Sequence, residues 1–259
     1  MLTTSAHLRN LTRDLDRSLA AIANGPQNKR ESAYYLARIG GVKSVEEFLG
    51  DQRLYSYAMT AFGLSDMTYA KAFMKKVLNG GVDGRDSFAN QLADARFRDF
   101  AANFNFARYG GAATAFDRVQ KGTVERFTRI KLEEQAGRTD EGLRLALYFQ
   151  RKAPLVASAY GLLGDVALLK VTQTALGIPA SASNTDIARQ AEDISAKLDI
   201  EDLKDPAFMA KLLDRFANRW QAARGIAAFD VPQLLIGSPV ETSLSPSTLL
   251  AMQSYRKRT

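Results

Sequence analysis

The side chains that could do chemistry in this sequence are few, and their spacing limits them further. The single histidine, His7, stands near the N-terminus with no second histidine anywhere in the chain. A histidine metal site or a Ser-His-Asp relay is hard to assemble from one such group, so His7 reads as a surface residue. Cysteine is absent, which excludes a disulfide scaffold, a thiolate zinc site and a cysteine nucleophile. The stretch Asp83-Gly-Arg-Asp-Ser87 places two carboxylates in a loop, but Arg85 falls between them and calcium-loop spacing is not met. The adjacent carboxylates Glu46-Glu47 and Glu133-Glu134 sit on helical segments, where neighbours project about 100° apart and do not converge on one substrate.

The glycine-rich runs NGGVDGRD (79–86) and RYGGAAT (108–114) lack both the Lys-Ser/Thr of a phosphate loop and the strand-turn-helix setting of a dinucleotide site. They read as turns. Phe97, Phe100, Phe104 and Phe106 could suggest a stacking platform, but the first three keep helical spacing and belong in a core. No catalytic, cofactor-binding or metal-binding residue is assigned, no small-molecule site is evident, and the chain is expected to be non-enzymatic.

The elements that would hold these residues are helical throughout. Leu8, Leu11, Leu15, Leu19 and Ile22 recur at spacings of three and four, which predicts one amphipathic helix within residues 1–30. Asn24 to Asn28 supplies the turn formers that end it, and a second element starts near Lys29. Ser44 with Glu47 has capping-box spacing.

One phrase occurs twice. FLGDQRLYSYAMTAFGL (48–64) is echoed by LLGDVALLKVTQTALGI (162–178). Gly50 and Gly164 are expected to end one helix in the left-handed conformation, and Asp51 and Asp165 to cap the next. Gly63 and Gly177 close that helix, with Leu64 and Ile178 packing back on its last turn and Pro179 enforcing the second stop. An ungapped shift of 114 also pairs Tyr34 with Tyr148 and Ser44 with Ser158. About ten of roughly 34 aligned positions coincide, self-similarity of the kind that marks duplicated units. Downstream, DARFRDF (94–100) resembles DPAFMAKLL (205–213), each an Asp cap before an apolar helix face.

The fold expected is all-α: a multi-helix bundle of two internally repeated helical halves joined by a long helix, with an extended C-terminal arm. The segments are an N-terminal helix (1–30), the first repeat (31–108), a connecting helix (109–144), the second repeat (145–222) and the arm (223–259). The connecting helix rests on the spacing of Phe116, Val119, Thr123, Phe127 and Ile130. The arm is rich in Pro and Ser. Its Val231, Leu234, Leu235 and Ile236 are the residues proposed for docking, either to a partner or back onto the body.

With 259 residues and 46% hydrophobic composition the chain can bury a sizeable core. Charges at Arg9, Arg13, Asp14, Asp16 and Arg17 interrupt any secretory signal, and no window approaches the roughly 20 apolar residues of a membrane span. The net charge of +7 and pI near 9.6 invite a nucleic-acid reading. That alternative, a basic helical binding or regulatory module, requires Lys75, Lys76, Arg126, Arg129, Arg151 and Lys152 to share one face. Along the sequence the basic residues are interleaved with acids rather than clustered.

Residues 34–106 resemble an uncharacterised domain family of alpha-class proteobacteria whose members look like flagellum-associated proteins. Ile39-Gly-Gly-Val-Lys-Ser44, Leu49-Gly-Asp51, Thr60-Ala-Phe-Gly-Leu64 and Ser87-Phe-Ala-Asn90 carry the likeness. The second copy departs from it at Ala153-Pro154 and around Asn184. The resemblance implies a structural or accessory protein of the flagellar system, acting through a flagellar protein partner, in the cytoplasm or at the basal body. It brings no catalytic residues with it.

Overall fold

A computed structural model describes residues 3–228; the docking residues Val231, Leu234, Leu235 and Ile236 and the rest of the arm lie outside the described residues. The chain divides into two units, Met1–Trp220 and Gln221–Thr259. All described secondary structure is helical. The α-helices are α1 (Thr4–Arg13), α2 (Leu15–Asn24), α3 (Pro26–Ile39), α4 (Val45–Gly50), α5 (Gln52–Ala61), α6 (Lys71–Gly80), α7 (Phe88–Gln91) and α8 (Ala95–Phe104). They continue as α9 (Phe106–Tyr109), α10 (Lys121–Thr139), α11 (Glu141–Lys152), α12 (Ala159–Leu163), α13 (Val166–Leu176), α14 (Ile187–Ser195) and α15 (Pro206–Ala228). Five short 3-10 turns connect some of them.

Two apolar cores lie side by side. The first gathers Tyr35, Phe48, Leu54, Tyr57, Met74, Phe100 and Phe104 from α3 to α8. The second gathers Leu147, Phe149, Leu162, Val171, Ile194, Leu212 and Phe216 from α11 to α15. Each such side chain contributes about 1.5–3 kcal/mol on burial. Helix α10 serves both, giving Phe127 to the first core and Leu132 and Ala136 to the second. Tyr35, Tyr57 and Phe127 stack in series, with centroids 4.6 and 4.0 Å apart, tying α3 and α5 to α10. The Tyr35 hydroxyl is satisfied by Val119 O at 2.6 Å.

The N-terminal stripe does not form the single helix that its spacing predicts. Asp14 breaks it, because its carboxylate accepts the Arg17 amide and starts a new helix. The Ser18 hydroxyl meets the carbonyls of Leu11 and Asp14 at the break. Both pieces still face the second core, through Leu8 and Ile22. Helix α3 begins at Pro26, ahead of the expected Lys29, since proline suits the first helical position. The connecting segment is also divided: a 3-10 turn at Gly110–Ala115 precedes α10, and Asp140 ends α10 and caps α11.

The doubled phrase is mostly built as expected, with one correction. Gly50 ends α4 without positive φ, and Gly164 is right-handed helical at φ −73°; the reversals at these points are made by extended Asp51 and Asp165 instead. Asp51 accepts the Leu54 amide, and Asp165 those of Ala167 and Leu168. Gly63 and Gly177 do take left-handed φ, +70° and +69°. The next amides, of Leu64 and Ile178, return to Met59 O and Gln173 O at 2.8 and 2.9 Å.

Candidate functional site

The densest charged cluster lies where α10 meets α11. Glu133 is 4% exposed. Its two oxygens accept Arg151 Nε at 2.6 Å and Nη2 at 2.9 Å, a bidentate fork. Burial pulls the Arg151 pKa down, but the hydrogen bonds and charge of Glu133 outweigh it and hold the guanidinium above its ordinary value. Arg129 lies in the field of the same pair, and its pKa is lowered by burial and by repulsion from Arg151, against the pull of Glu133. Its buried Nε has no hydrogen-bond partner among the described residues, and its Nη2 lies 3.4 Å from Gln150 Oε1.

Two tyrosine-carboxylate bonds bracket the doubled phrase. Tyr34 donates to Asp51 Oδ2 at 2.8 Å and Tyr148 to Asp165 Oδ2 at 2.6 Å. An arginine stands over each ring, Arg53 at 4.1 Å and Arg151 at 5.1 Å. The Tyr148 pKa is raised by burial and by its bond to Asp165. Burial works to raise the Asp51 pKa, but the Leu54 amide, the Tyr34 hydroxyl and Arg38 outweigh it and lower the value. These carboxylates are occupied in holding helix ends.

Most of the six cations singled out for nucleic acid are engaged within the chain. Lys75 pairs with Glu46 at 2.8 Å, Arg151 with Glu133, and Lys152 with Asp99 at 3.3 Å. Lys76 lies over the Phe88 ring and Arg126 over Phe62, and Arg129 turns inward. Elsewhere Asp83 pairs with Arg108 at 3.5 Å. No group of three or more potential metal ligands occurs among the described residues. Phe97, Phe100 and Phe104 are core residues, as their spacing suggested, and Phe106 joins them. The Ser44 cap forms with the Glu47 amide at 3.1 Å, while the Glu47 carboxylate accepts the Lys43 amide. No helix among the described residues is long and apolar enough to cross a membrane.

Two features were missed by sequence reasoning. The first is a cleft of about 330 Å³ between α1, the end of α11 and the start of α15, floored by Leu8, Leu203, Met209 and Leu213. Arg9 and Lys204 on its rim are paired with Asp214 and Glu201. The second is a run of large apolar side chains left in solvent: Leu155 (77% exposed), Tyr160 (55%), Val166 (83%) and Ile187 (60%). The 114-residue shift pairs the first three with Gly41, Glu46 and Gln52. That replacement of polar or small residues by apolar ones was the signal available in the sequence.

The molecule is thus an all-helical protein of two apolar cores, with the buried Glu133 paired to Arg151. The chain belongs to the family described as protein of unknown function DUF1217, whose model matches residues 61–209. It is similar to a protein from Agrobacterium tumefaciens known from an X-ray crystal structure determined as a structural-genomics target. The two share 39% identity and superpose with a TM-score of 0.77, over 86% of this chain and 97% of that one. Among curated proteins there is no match.

Proposed function

We propose that this chain is a non-enzymatic structural or accessory protein of the bacterial flagellar system that acts by protein-protein contact. The observation that carries the contact reading is the contrast between its polar and apolar groups. Converging charges, as at Glu133 and Arg151, are consumed by one another, whereas Leu155, Tyr160, Val166 and Ile187 stay in solvent. Large apolar side chains exposed on neighbouring elements commonly mark an interaction site. The flagellar assignment rests on the resemblance of residues 34–106 to flagellum-associated proteins, with the partner a flagellar protein in the cytoplasm or at the basal body. Val231, Leu234, Leu235 and Ile236 are a further docking segment in this reading.

We also read the two halves as copies of one unit. The matched Tyr34–Asp51 and Tyr148–Asp165 bonds and the matched turns at Gly63 and Gly177 support this. A clean deletion strain, with motility and filaments recorded in the same cells, tests the functional assignment. Missing or short filaments are the expected result, and fractionation of the protein with purified basal bodies would then separate a structural part from a cytosolic accessory. Normal filaments with normal swimming would remove the flagellar assignment.

A further inference from the structure

Resting on the reading of this protein as one that works by contact, we propose that the face around α12 is a docking surface for a basic amphipathic segment of a partner protein. Four observations lead there. First, four of the six large apolar side chains exposed among the described residues, all but Leu36 and Tyr69, belong to neighbouring elements: Leu155 ends the 3-10 turn before α12, Tyr160 lies on α12, and Val166 and Ile187 open α13 and α14, the two helices that pack on α12. Second, the fold does not require Leu155, Tyr160 or Val166. The corresponding positions of the first half carry Gly41, Glu46 and Gln52, and that half builds its own core without them.

Third, the charge around the face opposes that of the rest of the chain. Residues 153–204 hold four basic and seven acidic side chains, a net of −3, in a protein whose total is +7. Residues 39–90, their counterpart, hold six of each. Fourth, the basic members of the acidic stretch are largely engaged. Lys170 lies over the Trp220 ring, Arg189 pairs with Asp193 and Lys204 with Glu201. Glu192 and Asp202 are exposed and make no ion pair. Exposed apolar residues carried by an acidic segment are complementary to a helix that is apolar on one side and basic on the other.

The test uses the full-length chain and a fluorescent 14-residue peptide of leucine and lysine with helical amphipathic spacing, alongside its leucine-glutamate counterpart. Anisotropy is expected to show binding of the lysine peptide that weakens with salt, and none of the glutamate peptide. Two doubly substituted variants probe the face: Leu155→Ser with Val166→Asn, and Glu192→Lys with Asp202→Lys. All four positions are exposed, and unchanged circular dichroism confirms that the fold is kept. Each variant should weaken binding at least tenfold, and the charge variant should flatten the salt dependence. Equal affinity in both variants, or no binding at all, overturns the proposal. So does sedimentation showing a dimer of the free protein that the first variant dissociates, because the occupant is then a second copy of this chain. A null titration leaves the flagellar assignment to the deletion strain, and a normally swimming deletion strain leaves this surface standing.

Discussion

Replacing Glu133 by glutamine tests the account of the α10–α11 junction most sharply. The substitution keeps the volume, so no cavity forms, but it removes the carboxylate that forks onto Arg151 and attracts Arg129. Breaking a buried pair by removing one partner costs about 3–5 kcal/mol, because the remaining charge stays desolvated. Arg151 keeps 25% of its side chain exposed, which places the expected loss near the lower end, at about 3 kcal/mol. Each kcal/mol lowers the midpoint of a domain this size by about 2–4 °C, so the transition should fall by roughly 6–12 °C. Urea unfolding followed by circular dichroism, with an unchanged slope, measures the loss directly. Salt at 0.5 M should alter the difference little, since the pair is largely shielded from counterions. A double variant, Glu133→Met with Arg151→Met, should recover part of the loss, because it leaves neither member of the pair behind although Arg129 still loses its carboxylate. A Glu133→Gln protein within about 1 kcal/mol of the parent would refute the reasoning, since that is the range of a solvent-exposed pair.

Tyr148→Phe should cost about 1.5 kcal/mol in urea unfolding by removing a hydrogen bond to a carboxylate, and Tyr34→Phe should lose stability with the same sign; an effect at only one of the two would count against their equivalence. Gly177→Ala places a Cβ at φ +69° and against the Arg219 guanidinium, so a loss of at least 1–2 kcal/mol is expected, measured by thermal unfolding. Stability should also depend on pH in a definite way. The lowered pKa values of Asp51 and Asp94 mean that their stabilisation is present above the ordinary carboxylate range and lost as pH falls through their folded values. Asp51→Asn should therefore flatten the acid limb of a stability-pH curve, and an unchanged limb would refute the assignment. The raised pKa of Tyr148 has the opposite consequence, with stability declining as pH rises above about 10.

What the sequence disclosed was what short-range physics decides. The caps at Asp51 and Asp165 and the left-handed turns at Gly63 and Gly177 depend on neighbours within a few residues, so the doubled phrase announced them. Gly50 and Gly164 misled because a glycine before an aspartate permits a left-handed turn without requiring one. The chain could reverse through the extended backbone of the capping residue. Asp14 was hidden by its context, since the apolar stripe runs on unbroken across the kink and both helices need it for the second core. The Glu133–Arg151 fork was invisible for another reason. Its members lie 18 positions apart on different helices, and the angle between Glu133 and Glu134 said nothing about what α11 would bring to meet them. The exposed face around α12 could have been found by comparing the two copies for differences instead of identities.

The N-terminal helices have a consequence for how the chain matures. Leu8 and Ile22 belong to the second core, and Ser5 bonds to Asp214 across 209 residues. During synthesis the first core can assemble and α2 can dock once α10 has left the ribosome, while the apolar faces of α1 wait uncovered for α11 and α15. Closing so long a loop carries an entropic cost that nearer contacts must offset, and the delay leaves these faces open to chaperones or to misdirected contacts. Trimming the first 24 residues should therefore damage the far half of the molecule and spare the near one.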